Sequence, residues 1–146
     1  MTEPAVRHTV ELRVRYPETD QMGFVYHAHY LAWCDIGRTE LIRTLGRSYA
    51  ELEREGTLLA VSDASLRYHA PARYDDLIRV ETRVEEVRSR TVTFAYVISR
   101  VVEGAEPERL VSARTTLIAL TRDGTPRRMP DFFVEGLRGS LAAGAA

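Results

Sequence analysis

The 146-residue sequence contains no lysine, so all 20 of its basic residues are arginine. A bound phosphate or carboxylate would therefore be held by arginine side chains or by backbone N–H groups. The arginines are balanced by 21 acidic residues, which gives a formal net charge of −1. This balance argues against a broad electrostatic surface for nucleic acid or for an anionic membrane, and neither is expected as a partner.

Cysteine and long apolar runs are also scarce. The one cysteine, Cys34, excludes an internal disulfide, and its place in a long helical pattern indicates a small buried hydrophobic residue. No segment is apolar over enough residues to be a signal peptide or a membrane span. The expected location is therefore the cytoplasm.

Several signatures of other chemistries are missing. The sequence has no Gly-x-Ser-x-Gly elbow for a nucleophilic serine and no glycine-rich phosphate loop. His27 and His29 are two residues apart, so they do not share a helix face, and no cysteine or carboxylate cluster completes a metal site. We expect neither a metal nor another cofactor.

The hydrophobic pattern predicts one domain over residues 1–146, with 1–6 and 141–146 as flexible tails. Alternating apolar residues predict strands at 8–16, 58–69, 77–87, 91–102 and 110–121. A pattern that is apolar around most of its girth predicts a long wrapped helix at 28–45, a short helix follows at 48–56, and another is expected near 130–133. The predicted class is α+β, with a curved antiparallel sheet of about five strands wrapped around a long central helix.

Polar side chains are concentrated between the first strand and the long helix. Asp20 lies shortly before the helix, and Gly23 allows a tight reversal between them. An aspartate in this position commonly caps a turn or helix, and from spacing alone that interpretation is favoured. A carboxylate can also act as nucleophile or general base, close to the unpaired N–H groups of a helix N-terminus, which can stabilise an oxyanion.

The same stretch resembles a known signature. Its pattern is Thr19-Asp20-x-x-Gly23-x-Val25-Tyr26-His27-x-x-Tyr30, and further similarity follows in segments 38–40 and 68–76. It resembles hotdog-fold acyl-CoA thioesterases of the 4-hydroxybenzoyl-CoA thioesterase family, and it is most similar to the Tol-Pal-associated branch. The resemblance implies the hotdog fold, which has the layered arrangement predicted from the hydrophobic pattern.

The resemblance also implies roles for individual residues. Asp20 matches the catalytic carboxylate of the family, and its choice between nucleophile and general base stays open. His27 matches a histidine whose backbone N–H would contribute to the oxyanion site, while its imidazole could orient substrate or assist proton transfer. The expected substrate-binding residues are Gly23, Tyr26, Tyr30, Arg88 and Arg90, with Arg73 as a further candidate for the coenzyme A phosphates.

The predicted activity is hydrolysis of an acyl-CoA to the free acid and coenzyme A, which here is part of the substrate and not a cofactor. Exposed sheet edges and the resemblance together predict a homo-oligomer, with two subunits joined edge to edge, sites at their interface, and pairing of such dimers into a tetramer. Two alternatives stay open: an acyl-thioester hydratase or dehydratase of the same fold, and a non-catalytic acyl-CoA-binding module.

Overall fold

The computed structural model describes residues 7–144, with side-chain burial described to residue 141. The predicted tail at 1–6 and the last two residues of the predicted tail at 141–146 lie outside the described residues. The elements are β1 (His8–Arg13), a 3-10 turn (Tyr16–Glu18), α1 (His29–Arg43), α2 (Tyr49–Arg54), β2 (Leu58–Tyr68), β3 (Leu77–Val87), β4 (Thr91–Arg100), β5 (Glu108–Leu120) and α3 (Asp131–Gly144).

The five strands form one antiparallel sheet in the order β1-β3-β4-β5-β2. Neighbouring long strands are joined by short turns, so the chain runs up and down through β3, β4 and β5. β1 and β2 form the two edges of the sheet. The predicted α+β architecture, with five antiparallel strands and a long helix, is confirmed.

Helix α1 packs across the inner face of the sheet at very short range. The inward-facing side chains of β3 are buried, among them Val80 and Thr82. A Cβ atom added to Gly37 would lie 2.4 Å from Thr82 Oγ1 and 2.9 Å from Val80 Cγ1. Glycine therefore lets the helix backbone approach the strand where any side chain would collide with it.

Two element boundaries differ from the sequence prediction by more than two residues. β1 ends at Arg13 and not at residue 16, because the chain bends into the 3-10 turn that contains Pro17. The C-terminal helix is 14 residues long, well beyond the predicted short helix, and includes positions 141–144 of the predicted tail. Its continuation past residue 133 is supported by Leu137, which is buried in the core four residues after the buried Phe133.

Candidate active site

The stretch before α1 forms a small β-hairpin between Glu18 and Tyr26. The Asp20 N–H donates to the Phe24 carbonyl at 2.8 Å, and the Gly23 N–H donates to the Asp20 carbonyl at 3.0 Å. Gly23 has a φ of +82°, the left-handed conformation that closes a three-residue hairpin loop. The backbone role predicted for Gly23 therefore has a defined geometry, and Asp20 lies at the closing pair of the loop.

The hairpin is fastened to α1 and to the segment before β3. The Val25 N–H donates to the Ala72 carbonyl at 2.9 Å, and the Ala72 N–H donates to the Tyr30 hydroxyl at 3.0 Å. The buried Glu18 carboxylate accepts a hydrogen bond from Trp33 Nε1 at 3.0 Å. Glu18 is a structural residue of the site that sequence reasoning missed, since its partner is 15 residues away and no local spacing indicates the contact.

The carboxylate of Asp20 is half-buried and partly engaged. Its Oδ1 accepts the Met22 N–H at 2.9 Å, so the side chain stabilises the turn as the capping interpretation predicted. Within residues 7–144, no hydrogen bond involves Asp20 Oδ2. The turn contact fixes the orientation of the group, and one oxygen stays available to a substrate or a water molecule.

The N-terminus of α1 leaves backbone donors unused. The helix begins at His29, and its N-cap residue, Ala28, provides no side-chain cap. In the described part of the chain, the N–H groups of His27 and Ala28 donate to no acceptor, whereas the His29 N–H donates to the Tyr26 carbonyl at 2.9 Å. Free N–H groups at the positive end of a helix dipole suit a developing negative charge.

The aromatic residues of the stretch are divided between surface and core. Tyr26 is 46% exposed, and its ring centroid lies 4.3 Å from that of His27. Tyr30 is only 2% exposed, and burial raises the pKa of its hydroxyl. Tyr68, at the end of β2, also contacts this stretch, since its hydroxyl donates to the His27 carbonyl at 3.1 Å. The structure places Tyr30 as part of the support for the site, and its contact with substrate stays a prediction.

The arginines predicted to bind coenzyme A lie apart from the hairpin within one chain. Arg88 and Arg90 are exposed in the turn between β3 and β4, and Arg88 Nε contacts Glu86 Oε1 at 2.5 Å. The hairpin lies near the start of β3, at the other end of an 11-residue strand, which spans about 30 Å. Arg73 does adjoin the hairpin, with its guanidinium carbon 5.1 Å from the centroid of the Phe24 ring.

Neither of two cavities in the described part of the chain is lined by Asp20 or His27. One, of about 500 Å³, lies on the outer face of the sheet, which is the face turned away from α1. The other, of about 430 Å³, lies beside Asp76 and Arg100.

Within residues 7–144, no cluster of three or more histidine, cysteine or acidic residues could hold a metal ion, and no helix is long and apolar enough to cross a membrane.

Comparisons of the sequence with a family model and with individual proteins indicate the same family. The model of the thioesterase superfamily matches residues 22–104, beginning two positions after Asp20. A putative acyl-CoA thioesterase of Bacillus subtilis is 43% identical over 59% of this chain, and the match covers 62% of that protein, less than two thirds of its length. An acyl-CoA thioester hydrolase of Escherichia coli is 33% identical over 73% of this chain and 71% of its own length.

Solved structures agree with the sequence relatives. The DHNA-CoA thioesterase of Staphylococcus aureus superimposes with a TM-score of 0.82 and 29% identity, covering 94% of this chain and 89% of that one. The superfamily model covers more than half of the chain, and the E. coli relative exceeds 30% identity over most of both lengths. The family and fold predicted from the Asp20 stretch are thus confirmed: the chain belongs to the thioesterase superfamily and has the hotdog fold.

Proposed function

We propose that the protein hydrolyses the thioester of an acyl-CoA, with Asp20 as its catalytic carboxylate. The observation that carries the proposal is the position of Asp20 on a hairpin bonded to α1, directly before a helix N-terminus with unused N–H groups. The superfamily match and the activities named for the Bacillus and Escherichia relatives support the substrate class.

Asp20 acts on the thioester carbonyl directly or through water. As a general base, it takes a proton from water while the water oxygen bonds to the carbonyl carbon. The carbon–sulfur bond then breaks, and the proton passes to the departing sulfur, giving the acid and the coenzyme A thiol. As a nucleophile, Asp20 forms a mixed anhydride that water hydrolyses. Both routes balance with water as the second reactant and require no cofactor.

The start of α1 stabilises the charge that develops on the carbonyl oxygen. The N–H groups of His27 and Ala28 donate to that oxygen, and the helix dipole adds to the effect. The imidazole of His27 is exposed beside the ring of Tyr26 and contacts the substrate. Tyr26 lines the acyl or pantetheine channel, and the fully packed Tyr30 forms the wall behind it.

We further propose that a second copy of the chain completes the site. β2 is an 11-residue edge strand, and its residues 61–65 are exposed. Its last residue, Tyr68, contacts the carbonyl of His27. A partner strand added along β2 therefore borders the helix N-terminus, and Arg88 and Arg90 of one subunit serve the pocket of the other. Two such dimers form a tetramer, and the protein acts in the cytoplasm. Sedimentation at micromolar concentration would test the oligomeric state.

The proposal is tested by thiol release from a panel of acyl-CoAs. Asp20→Asn keeps an oxygen that can accept the Met22 N–H, so the hairpin loop is preserved while the charge is removed. We expect a loss of about 100-fold or more in rate with the oligomer unchanged. Asp123→Asn is the matched control, because Asp123 also caps a turn but lies beyond β5, away from the hairpin.

Two results would contradict the assignment. One is an Asp20→Asn enzyme with wild-type turnover, which would leave the residue as a cap only. The other is binding of acyl-CoAs without turnover by the wild-type protein, which would favour a binding module. The panel also identifies the acyl group, whether short-chain, fatty or aromatic.

A further inference from the structure

The outer face of the sheet carries a trough that the proposed reaction does not use. It corresponds to the cavity of about 500 Å³. Its floor is formed by Ala95 and Val97 of β4, and its walls carry long basic side chains: Arg83 on one side and Arg67, Arg109 and Arg114 on the other. The trough is far richer in positive charge than the chain as a whole, whose net charge is −1.

Strand register explains the shape of the trough. Arg83 of β3 pairs with Ala95 of β4, and Ala95 pairs with Arg114 of β5 on its other side. Neighbouring strands are about 4.8 Å apart, so the two arginine Cα atoms are separated by about 10 Å. The small side chain between them leaves a groove into which guanidinium groups from both walls can turn.

The acidic residues nearby do not neutralise this charge. Five arginines and one acid, Glu81, line the cavity, and Glu81 is paired with Arg7 at 3.2 Å. Arg114 forms an ion pair with Glu85, which lies outside the lining. The three other lining arginines are Arg67, Arg83 and Arg109. They have no ion pair or side-chain hydrogen bond within residues 7–144.

We propose that this trough binds a small anion with two linked phosphate groups, at a site separate from the thioesterase site. Arginine binds phosphate oxygens through two parallel N–H donors, and a diphosphate offers oxygens to both walls at once. A single phosphate offers fewer oxygens to the two walls and carries less charge than the three unpaired arginines. A second copy of this face is a poorer occupant, since a twofold contact would bring like charges together.

The separation from the proposed active site follows from the fold. Apart from Thr82, Tyr96 and Ala113, the strand residues that line the trough face outward from the sheet, whereas α1 and its N-terminus pack on the inward-facing side. None of the cavity lining belongs to the hairpin or to α1. A ligand in the trough therefore contacts neither Asp20 nor the N–H groups of the helix.

Calorimetric titration with inorganic pyrophosphate at low salt tests the site. We expect saturable binding to the wild type, weakened about tenfold or more in Arg83→Gln and in Arg109→Gln, with orthophosphate binding less tightly. Arg79→Gln is the matched control: Arg79 lies on the same strand and face as Arg83, but it pairs with Glu11 and does not line the trough. The same net charge is removed in each variant.

Further titrations separate the sources of the diphosphate. ADP and free coenzyme A carry it on a nucleotide, and comparison with pyrophosphate shows whether the trough accepts more than the bare anion. Asp20→Asn should retain pyrophosphate binding, and Arg83→Gln should retain the wild-type KM for acyl-CoA. The proposal is overturned if the wild type does not bind pyrophosphate, or if Arg79→Gln weakens pyrophosphate binding as much as Arg83→Gln does. It is also overturned if the KM for acyl-CoA rises in the Arg83 and Arg109 variants, because the trough would then be part of the substrate site.

Discussion

Replacing Gly37 by alanine should destabilise the protein, although alanine is the better helix former. The added Cβ would meet Thr82 Oγ1 at 2.4 Å and Val80 Cγ1 at 2.9 Å. Thr82 and Val80 are fully buried in a strand with neighbours on both sides, so neither side chain can turn away freely. The helix must then move away from the sheet, or the strand must shift.

The magnitude follows from two opposing effects. Overpacking in a dense core costs about 1–3 kcal/mol, and a 2.4 Å contact with a buried atom belongs near the upper end. Alanine in a helix interior gains about 0.5–1 kcal/mol over glycine. We therefore expect a net loss of roughly 2 kcal/mol in the free energy of unfolding, measured by urea denaturation at fixed protein concentration.

Gly139 of α3 provides the matched control. A Cβ added there meets nothing within 4 Å, so Gly139→Ala should stabilise the protein by about 0.5–1 kcal/mol. Thr82→Ala in the Gly37→Ala background should restore part of the loss, since Thr82 Oγ1 has no hydrogen-bond partner among the described residues. A Gly37→Ala protein as stable as Gly139→Ala would refute the close approach of α1 to β3.

Three further results are expected. Burial raises the pKa of the Cys34 thiol to about 12, so a thiol reagent at pH 8 should label the unfolded chain but not the native protein, and Cys34 should add no background to a thiol-release assay. Glu18→Gln should cost about 1–3 kcal/mol in urea denaturation, because an amide cannot accept from both donors that the carboxylate serves. The hydrogen bond from Arg114 lowers the pKa of Glu85 below its ordinary value of 4.5. This contribution to stability is present above pH 4.5 and disappears as the pH falls through the folded-state pKa. Arg114→Gln should therefore lose less stability than the wild type between pH 7 and pH 3, and an equal acid dependence would contradict the ion pair.

The architecture could be predicted from the sequence because its hydrophobic pattern is strong. The alternation of β3 gives a strand with the observed bounds, Leu77–Val87, and the pattern of α1 predicts its length within a few residues. The end of β1 was misjudged because apolar alternation continues through Tyr16, although that side chain is 74% exposed. Periodicity does not reveal where tertiary contacts stop supporting a strand.

The candidate site was predictable only as far as local spacing reached. Asp20 and Gly23 form the expected tight turn, since a hairpin loop depends on adjacent residues. Other features depend on how the sheet folds over the helix, and local sequence spacing does not predict that packing. They include the Glu18–Trp33 contact and the distance of Arg88 from the hairpin. The trough likewise could not be predicted from the sequence, because its residues come from four strands that the register of the sheet places side by side.

The double hydrogen bonding of Ala72 has a mechanical consequence. Its carbonyl is joined to the hairpin and its N–H to the first turn of α1, so thermal motion of this segment displaces both together. The distance between Asp20 and the N–H groups at the start of α1 is thereby preserved while neighbouring segments fluctuate. If β2 borders the acyl pocket as proposed, substitutions in that edge strand should change which acyl groups fit while the spacing between Asp20 and the amides at the start of α1 stays the same.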